Sequence, residues 1–305
     1  MLRKIIFLSV LFSLMISGCG RDGILPGPGT EVILLPSDLT PAVSPDGKYV
    51  AFFHISIDTT ETTGLYILDL ETGEKTLLLS GEVRNPDFSP DGMWLVFNVG
   101  DQIFKVRLKN DMSGIDSSTL RQLTYEGRNY FPAWSPSGDL IAFDSNREGW
   151  YSIWFMDTTG QNQRIFWEHG RYSDWSPDGS RVLLIGLIDS VSHGIIVDTS
   201  LRDTFLVDVG TDPAWSPDGE WIGYTVYGPG LRMAICVTRV DGSEQRELVE
   251  FNLRFDDSWT PAEPGGQVTW LDSQTLIFSA PNPEASHVVL WKINIDGTGL
   301  EQVTF

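Results

Sequence analysis

A four-residue turn motif that recurs along the chain is the feature that most constrains its fold. The sequence Ser-Pro-Asp-Gly begins at Ser44, Ser89, Ser176 and Ser216, and the variant Ser-Pro-Ser-Gly begins at Ser135. Successive copies are 45, 46, 41 and 40 residues apart. Proline presets the second turn position, aspartate suits the third, and glycine tolerates the positive φ that follows. Each copy is therefore predicted to be a tight turn between two antiparallel strands.

Each interval contains enough apolar sequence for four short strands. In the third unit the predicted strands are 131–135, 140–145, 151–157 and 163–167. Trp270 ends a sixth, degenerate copy, in which Leu271-Asp272-Ser273-Gln274 replaces the turn. Four strands in a period of about 40 to 45 residues are typical of a propeller blade. Residues 30–305 are therefore predicted to form an all-β fold, a six-bladed β-propeller of four-stranded antiparallel blades.

The third unit also carries a family resemblance. Its sequence runs from Phe131-Pro132-Ala133-Trp134-Ser135 through Asp144-Ser145-Asn146-Arg147 to Trp154-Phe155-Met156-Asp157. This pattern resembles the WD40-like repeat of TolB-type six-bladed propellers, and the resemblance extends over about residues 30–305. Propellers of this kind occur in periplasmic scaffold proteins, in the non-catalytic halves of prolyl-oligopeptidase-like peptidases and in some carbohydrate lyases. The resemblance therefore implies the fold more strongly than the function.

The N-terminal residues are predicted to direct the chain to the bacterial cell envelope. Arg3 and Lys4 precede an apolar run, 5–15, that is too short to span a bilayer but fits the core of a signal peptide. The sequence Ile16-Ser17-Gly18-Cys19 resembles a lipobox, which implies removal of residues 1–18 and lipidation of Cys19. Residues 19–29 are rich in glycine and proline and predict a flexible tether. We expect a periplasm-facing lipoprotein, with the outer membrane as its destination.

The composition and the motifs that the sequence lacks argue against several classes of function. Acidic residues outnumber basic ones 41 to 21, which argues against a nucleic-acid partner. The two cysteines, Cys19 and Cys236, can build neither a disulfide framework nor a thiolate zinc site, and Cys236 is expected to be a buried strand residue. The chain has no G-x-S-x-G elbow, no H-E-x-x-H sequence and no phosphate-binding loop. A non-enzymatic protein without a cofactor is therefore predicted.

Four tryptophans recur just before the turn positions. They are Trp134, Trp175, Trp215 and Trp270. We expect each to pack between neighbouring blades, because large aromatic side chains bury much apolar area between sheets. Stacking against a ligand is the alternative.

Strand order assigns the loops of a propeller to two opposite faces. The face with the Ser-Pro-Asp-Gly turns, here called the corner face, collects a set of aspartates: Asp46, Asp91, Asp157, Asp178, Asp218, Asp241 and Asp296. Aspartate is the usual residue in such turns, so turn formation is the expected role and cation binding the alternative. The other face, here called the loop face, carries the loops between second and third strands and those between units.

The loop face holds the predicted partner-binding residues. They precede or begin the inner strands and are Arg84, Asn85, Asn129, Tyr130, Arg171, Tyr172 and Asp212. Arginine and tyrosine on loops of a rigid scaffold are typical of recognition sites. The four histidines, His54, His169, His193 and His287, are also predicted on this face. They are weak candidates for a transition-metal site, because imidazole suits such metals but these positions belong to different blades.

Two functions from different classes remain open. The first is a lipid-anchored scaffold that binds an envelope protein or peptide. The second is a carbohydrate-recognition module or propeller lyase with a metal at the channel mouth. A firmly bound metal would favour the second.

Two segments, one near each end of the chain, could each form the outer strand of the last blade. Both 31–35 and 301–305 have the character of its outer strand. Because an open ring would expose unpaired strand edges, we expect both segments to pair with the last blade and to join it to the first.

Overall fold

The chain is an all-β propeller of four-stranded antiparallel blades. A computed structural model describes residues 37–56, 61–188, 191–229, 232–252, 266–282 and 287–304. The first twelve strands are β1 (Ser37–Val43), β2 (Tyr49–Ile55), β3 (Gly64–Asp69), β4 (Lys75–Ser80), β5 (Val83–Phe88), β6 (Trp94–Val99), β7 (Gln102–Leu108), β8 (Ile115–Gln122), β9 (Asn129–Trp134), β10 (Leu140–Ser145), β11 (Ser152–Asp157) and β12 (Arg164–Trp167). The next twelve are β13 (Gly170–Trp175), β14 (Arg181–Ile188), β15 (Val191–Asp198), β16 (Thr204–Val207), β17 (Thr211–Trp215), β18 (Trp221–Gly228), β19 (Arg232–Arg239), β20 (Gln245–Asn252), β21 (Val268–Asp272), β22 (Thr275–Asn282), β23 (His287–Asn294) and β24 (Glu301–Gln302). None of the described segments is a helix long and apolar enough to cross a bilayer.

Four of the sheets are regular blades, and the fifth is larger. Strands β5–β8, β9–β12, β13–β16 and β17–β20 each form one four-stranded antiparallel sheet. The remaining strands form an eight-stranded mixed sheet, in which β1–β4 and β21–β24 are each antiparallel sets. One parallel bridge between Ser37 and Val288 joins the two sets.

The Ser-Pro-Asp-Gly motifs form the predicted turns. At the first copy, Ser44 Oγ donates to Asp46 Oδ1 at 2.6 Å and accepts the backbone N–H of Tyr49 at 3.0 Å. Gly47 has φ of 70° and donates its N–H to the carbonyl of Ser44 at 2.8 Å. The other copies repeat this arrangement, so the serine and aspartate close the turn and the glycine supplies the left-handed backbone.

The turns also touch one another around the molecule. A methyl group placed on the Gly179 α-carbon would lie 3.7 Å from Cδ of Pro136, in the preceding turn. The same neighbour relation links Gly92, Gly138 and Gly219 to the preceding prolines. At Gly47 the contact is with the carbonyl of Leu271, in the degenerate turn, at 3.5 Å. The first turn of the chain therefore contacts the last.

The four tryptophans pack in the core, as predicted. Trp134, Trp175, Trp215 and Trp270 are 8%, 6%, 5% and 6% exposed. Trp175 stacks on Phe155 of the preceding unit, with ring centroids 4.8 Å apart. The other three belong to clusters that contain residues of the preceding unit. They join neighbouring blades by apolar burial.

Two kinds of hydrogen bond link consecutive inner strands. In the second and fourth units, an aspartate lies two residues before the corner serine. Trp134 donates its backbone N–H to Asp87 Oδ2, and Trp215 donates its backbone N–H to Asp174 Oδ2, both at 2.7 Å. In the third and fifth units an alanine occupies this position, and its carbonyl accepts the indole N–H of the next tryptophan. Ala133 accepts from Trp175 at 3.2 Å, and Ala214 accepts from Trp270 at 3.0 Å. Burial raises the pKa of Asp87 to about 7, with a contribution from the negative charge of Asp174, and burial raises that of Asp174 to about 6.

Strand boundaries agree closely with the prediction except at the chain ends. In the third unit, β10 matches the predicted 140–145, and β9 begins two residues before the predicted 131. The predicted terminal strand 301–305 is a ladder only over Glu301–Gln302, although Val303 N also donates to the Leu290 carbonyl at 2.7 Å. Segment 31–35 and Cys19 lie outside the described residues. Ser37 and Gln302 both pair with β23, so both ends of the described chain meet on that strand.

Candidate functional site

A β-bulge recurs in five inner strands at the same distance from the corner. The residue four positions before each corner serine has positive φ: Thr40 51°, Asn85 50°, Phe131 51°, Tyr172 57° and Asp212 50°. The pairing of each inner strand with its neighbour shifts register at this place. Left-handed backbone is unfavourable for such residues, and bulges re-aim side chains near functional sites. Sequence reasoning missed the bulges, because the residue types at these positions do not mark them.

Neighbouring units hold the backbone of the bulges. Tyr172 donates its N–H to the Asp144 carboxylate, at 3.1 Å to Oδ1 and 3.3 Å to Oδ2. Asn85 donates its N–H to Thr40 Oγ1 at 3.3 Å. Each bond crosses from one unit to the next, so tertiary contacts stabilise conformations that these residue types disfavour locally.

The bulge of β13 lies within a cluster of aromatic and charged residues. Arg171 Nε donates to Oδ2 of the fully buried Asp144 at 3.1 Å. The Arg171 guanidinium carbon lies 4.4 Å from the ring centre of Tyr151, 4.7 Å from that of Tyr172 and 5.6 Å from that of Phe131. Burial raises the pKa of Asp144 to about 7, although Arg171 and the Tyr172 amide act in the opposite direction. Asp144, Tyr151 and Phe131 were not among the predicted site residues.

The predicted partner-binding residues all lie at the loop face, because the inner strands β5, β9, β13 and β17 begin there. Arg84 places its guanidinium 4.7 Å from the Phe53 ring centre. Tyr130 donates its hydroxyl to Asp101, and its ring lies 6.2 Å from that of Tyr151.

Asn129 differs from the other candidates because it is fully buried. Its Nδ2 donates to the Glu126 carbonyl at 3.0 Å, and its Oδ1 accepts Arg147 Nη2 at 2.9 Å. A buried amide bonded in this way positions the surrounding loop, and its side chain presents no exposed surface. Asp212 and Tyr172, by contrast, both retain accessible surface at the bulges.

Two exposed aromatic side chains lie on loops at the same face as this cluster. Trp150, in the loop between β10 and β11, is 71% exposed, and Tyr125, in the loop before β9, is 73% exposed. Both loops lie at the loop face, because Asn129 at the start of β9 pairs with Ser145 at the end of β10. Exposed tryptophan and tyrosine beside arginine have the composition of interface hot spots.

Strand register places the four histidines at this end of the molecule but in four different units. His54 is buried, and its ring nitrogens contact Asp38 Oδ1 at 2.7 Å and Glu61 Oε2 at 2.8 Å. His169 lies edge-on to Trp150, with centroids 6.2 Å apart, while His193 pairs with Gly186 and His287 with Asn282. Among the described residues no group of three or more His, Cys, Asp or Glu side chains is arranged so that it could hold a metal ion.

The aspartates of the corner face serve turn geometry. Asp178 Oδ1 accepts Ser176 Oγ at 2.7 Å and the Ser180 amide at 3.0 Å. The hydrogen bond from Ser176 is the main cause that lowers the pKa of Asp178 to about 2. Cys236 is buried in β19, as predicted, and burial raises the pKa of its thiol to about 11. Neither feature marks a reactive site.

Antiparallel four-stranded blades with bulged inner strands define a β-propeller with its irregular positions gathered at one face. Residues 31–263 match the family model described as the TolB beta propeller domain. The chain therefore belongs to the TolB β-propeller domain family.

Individual relatives are more distant. The chain is 24% identical over 262 residues to the Tol-Pal system protein TolB of Francisella tularensis subsp. mediasiatica, which covers 77% of this chain and 58% of the relative. It is 33% identical over 157 residues to an uncharacterized protein of Agrobacterium fabrum, which covers 45% of this chain and 50% of that protein. The chain thus spans about half the length of these curated relatives.

Solved structures share the fold. A protein of Agrobacterium tumefaciens assigned to TolB superposes with a TM-score of 0.63 at 21% identity, covering 78% of this chain and 87% of that one. An oligogalacturonate lyase in complex with manganese superposes with a TM-score of 0.53 at 15% identity, covering 88% of this chain and 77% of the lyase. At these identities the similarity concerns the fold alone.

Proposed function

We propose that this protein is a non-enzymatic, lipid-anchored, six-bladed propeller that binds a protein or peptide partner in the bacterial cell envelope through its loop face. The recurrent bulge is the observation that carries the proposal. It places five different side chains, Thr40, Asn85, Phe131, Tyr172 and Asp212, at equivalent positions. A repeated backbone with varied side chains is suited to recognising one irregular surface.

A count of six blades is supported by the two halves of the mixed sheet. Strands β1–β4 and β21–β24 each have the antiparallel order of a blade. Ring closure is favoured because the Gly47 turn lies against Leu271 and because Ser37 pairs with Val288. A single bridge between the two sets is compatible with adjacent blades that meet at one point.

The envelope location is supported by the lipobox-like sequence that ends at Cys19 and by relatives named as Tol-Pal system proteins. Three or more acyl chains on Cys19 would hold the protein on a membrane, because each buried methylene contributes about 0.8 kcal/mol. The glycine- and proline-rich segment 20–29 would act as a tether between the membrane and the propeller. We favour the periplasmic side of the outer membrane.

A scaffold role is favoured over catalysis by the partners of the titratable groups at the loop face. His54 is held between two carboxylates, and Asp144 is committed to Arg171 and the Tyr172 amide. These bonds fix structure and leave neither group positioned as a general base toward the open face. The acidic charge of the chain also disfavours a nucleic-acid partner.

Capture of a partner from envelope extract tests the proposal. Purified anchored protein is compared with a Trp150→Ala variant and with a Phe205→Ala variant as the matched control. Phe205 is 55% exposed on the outer strand β16, away from the loop face. We expect the Trp150 variant to lose a captured protein that the wild type and the Phe205 variant retain. Equal capture by all three proteins would contradict binding through the loop face.

The alternative, a carbohydrate-recognition module or lyase with a metal at the channel mouth, is tested separately. The manganese-bound lyase with the same fold is the observation that keeps it open. Elemental analysis of dialysed protein would detect stoichiometric manganese, zinc or calcium if this function were correct. On our proposal the dialysed protein contains less than one equivalent of each metal.

A further inference from the structure

The guanidinium of Arg171 has hydrogen-bond donors that no described residue accepts. Its side chain is 15% exposed, and its Nε is bonded to Asp144. Across the described part of the chain, Nη1 and Nη2 donate to no protein acceptor. A guanidinium carries five N–H donors, and the terminal nitrogens of Arg171 still contact solvent, where a ligand can reach them. Such an arrangement is typical of a site that binds an acceptor from outside the chain.

The two tyrosines whose rings lie beside this guanidinium have hydroxyls that bond no described residue. The Tyr151 hydroxyl is buried and makes no hydrogen bond to any described residue. The Tyr172 hydroxyl likewise has no partner within the described ranges, and its ring packs edge-on against Phe131, with centroids 4.6 Å apart. Burial raises the pKa of both tyrosines, so both hydroxyls remain donors at physiological pH.

The stacking of the rings fixes the guanidinium in place. Because it lies over the faces of Tyr151 and Tyr172, at 4.4 and 4.7 Å, Arg171 loses little further side-chain freedom when a ligand binds. Asp144 holds the Nε edge and leaves the terminal Nη atoms to the ligand. A preorganised guanidinium edge of this kind matches the two oxygens of a carboxylate.

We propose that Arg171, with Tyr151 and Tyr172, binds a carboxylate presented by a partner peptide, either its C-terminal carboxylate or an acidic side chain. This inference rests on the proposed function and specifies its chemistry. A monoanion fits better than a phosphate dianion, because Arg171 supplies only one positive charge. The apolar ring of Phe131, beside Tyr172, favours an apolar or aromatic residue next to the carboxylate.

The charges around Arg171 predict the pH dependence of this binding. Besides Arg171, the ionisable groups that face the cluster from the surrounding strands and loops are Asp101, Arg128, Asp144, Asp212, Tyr151, Tyr172 and Tyr227. Burial raises the pKa of Asp212 to about 6 and that of Asp144 to about 7. Both lose negative charge as the pH falls, so repulsion of a ligand carboxylate decreases. Binding should therefore be tighter at pH 6 than at pH 8.

Two pairs of small peptides test the site by isothermal titration calorimetry at pH 6. The first pair is acetylated Phe-Gly with a free or an amidated C-terminus, and the second is acetylated, amidated Phe-Glu or Phe-Gln. We expect the charged member of one pair to bind about tenfold more tightly than its neutral counterpart, which corresponds to about 1.4 kcal/mol. The pair that discriminates identifies the source of the carboxylate.

Protein variants distinguish binding from a structural role. Tyr172→Phe and Tyr151→Phe remove hydroxyls that bond no described protein group, so the melting temperature should not fall while carboxylate binding weakens several-fold. Tyr66→Phe in the first unit is the control: its hydroxyl donates to the Thr62 carbonyl at 2.8 Å, and its loss should leave peptide binding unchanged. Arg171→Lys retains a positive charge but lacks the guanidinium geometry, and should abolish the discrimination.

The proposal is overturned if neither peptide pair discriminates or if both tyrosine variants bind like the wild type. If discrimination is absent while Trp150→Ala still loses its partner, the carboxylate site is wrong and the proposed function stands. If the carboxylate binds as expected but Trp150→Ala retains its partner, the carboxylate site is correct and the captured protein does not bind through the loop around Trp150.

Discussion

Replacement of Asp87 by asparagine should flatten the pH dependence of stability. Asp87 Oδ2 accepts the Trp134 amide at 2.7 Å in the contact between the second and third units, and asparagine retains an acceptor there. The wild-type carboxyl has its pKa raised from 3.8 to about 7 by burial, so the folded state binds the proton more tightly than the unfolded state. Its contribution to stability is fully present below pH 3.8 and is lost as the pH rises through about 7.

The size of the effect follows from the same pKa. One pKa unit corresponds to about 1.4 kcal/mol, so the rise from 3.8 to about 7 sets an upper limit of about 4 kcal/mol. Asp87 retains some accessible surface, and solvent relaxation reduces this limit. Between pH 5 and pH 8 we expect the wild type to lose about 1 to 2 kcal/mol more stability than Asp87→Asn.

Urea denaturation followed by tryptophan fluorescence at pH 5 and pH 8 measures this difference. Asp91→Asn, in the corner of the same unit, is the matched control. The hydrogen bond from Ser89 is the main cause that lowers the pKa of Asp91, so its contribution is lost only as the pH falls below the usual range of aspartate. Asp91→Asn should therefore keep the wild-type change between pH 5 and pH 8. If Asp87→Asn also keeps it, the buried carboxyl does not have the assigned role.

Three further perturbations address the corner, the anchor and the ring. Gly179→Val should lower the free energy of unfolding by more than about 1 kcal/mol in denaturant titrations, because the backbone φ of Gly179 is 70°. Gly179→Asn should lower it less, since asparagine tolerates the left-handed region. Equal losses from the two variants would argue against backbone strain. Cys19→Ala should leave a soluble or uncleaved protein with an unchanged circular dichroism spectrum. If a high-salt wash releases the wild-type protein from membranes, that result would count against the lipid anchor. Deletion of residues 301–305 should lower the melting temperature without abolishing the fold. Additional deletion of the residues up to 35 should open the ring. A double deletion with the melting temperature of the single deletion would contradict closure by both ends.

The turns and strands could be predicted from sequence because local chemistry determines them. Ser44, Asp46 and Gly47 form a turn through their own hydrogen bonds and backbone preferences, and the same residues recur in later copies. The apolar runs that follow are long enough to be strands and too short to be typical helices. The pattern therefore predicted the blades and the burial of Trp134 and its equivalents.

The bulges could not be predicted from residue type. Thr40, Phe131 and Tyr172 rarely adopt positive φ, and nothing in their local sequence favours it. Their conformation depends on bonds from other units, such as those of Asp144 to the Tyr172 amide, 28 residues away. Sequence reasoning placed Arg171 and Tyr172 near the start of the inner strand, where β13 has them, but it could not place Asp144 or Tyr151 beside them, because these come from neighbouring strands and loops.

Photo-cross-linking in intact cells tests the central claim most directly. Photoreactive p-benzoylphenylalanine, which keeps an aromatic side chain, replaces Trp150 on the loop face in one variant and Ser180, an exposed residue beside the Asp178 turn on the corner face, in the other. Our account predicts a discrete adduct with an envelope protein from position 150 and none from position 180. An adduct from position 180 alone, or none from position 150, would contradict partner binding through the loop face.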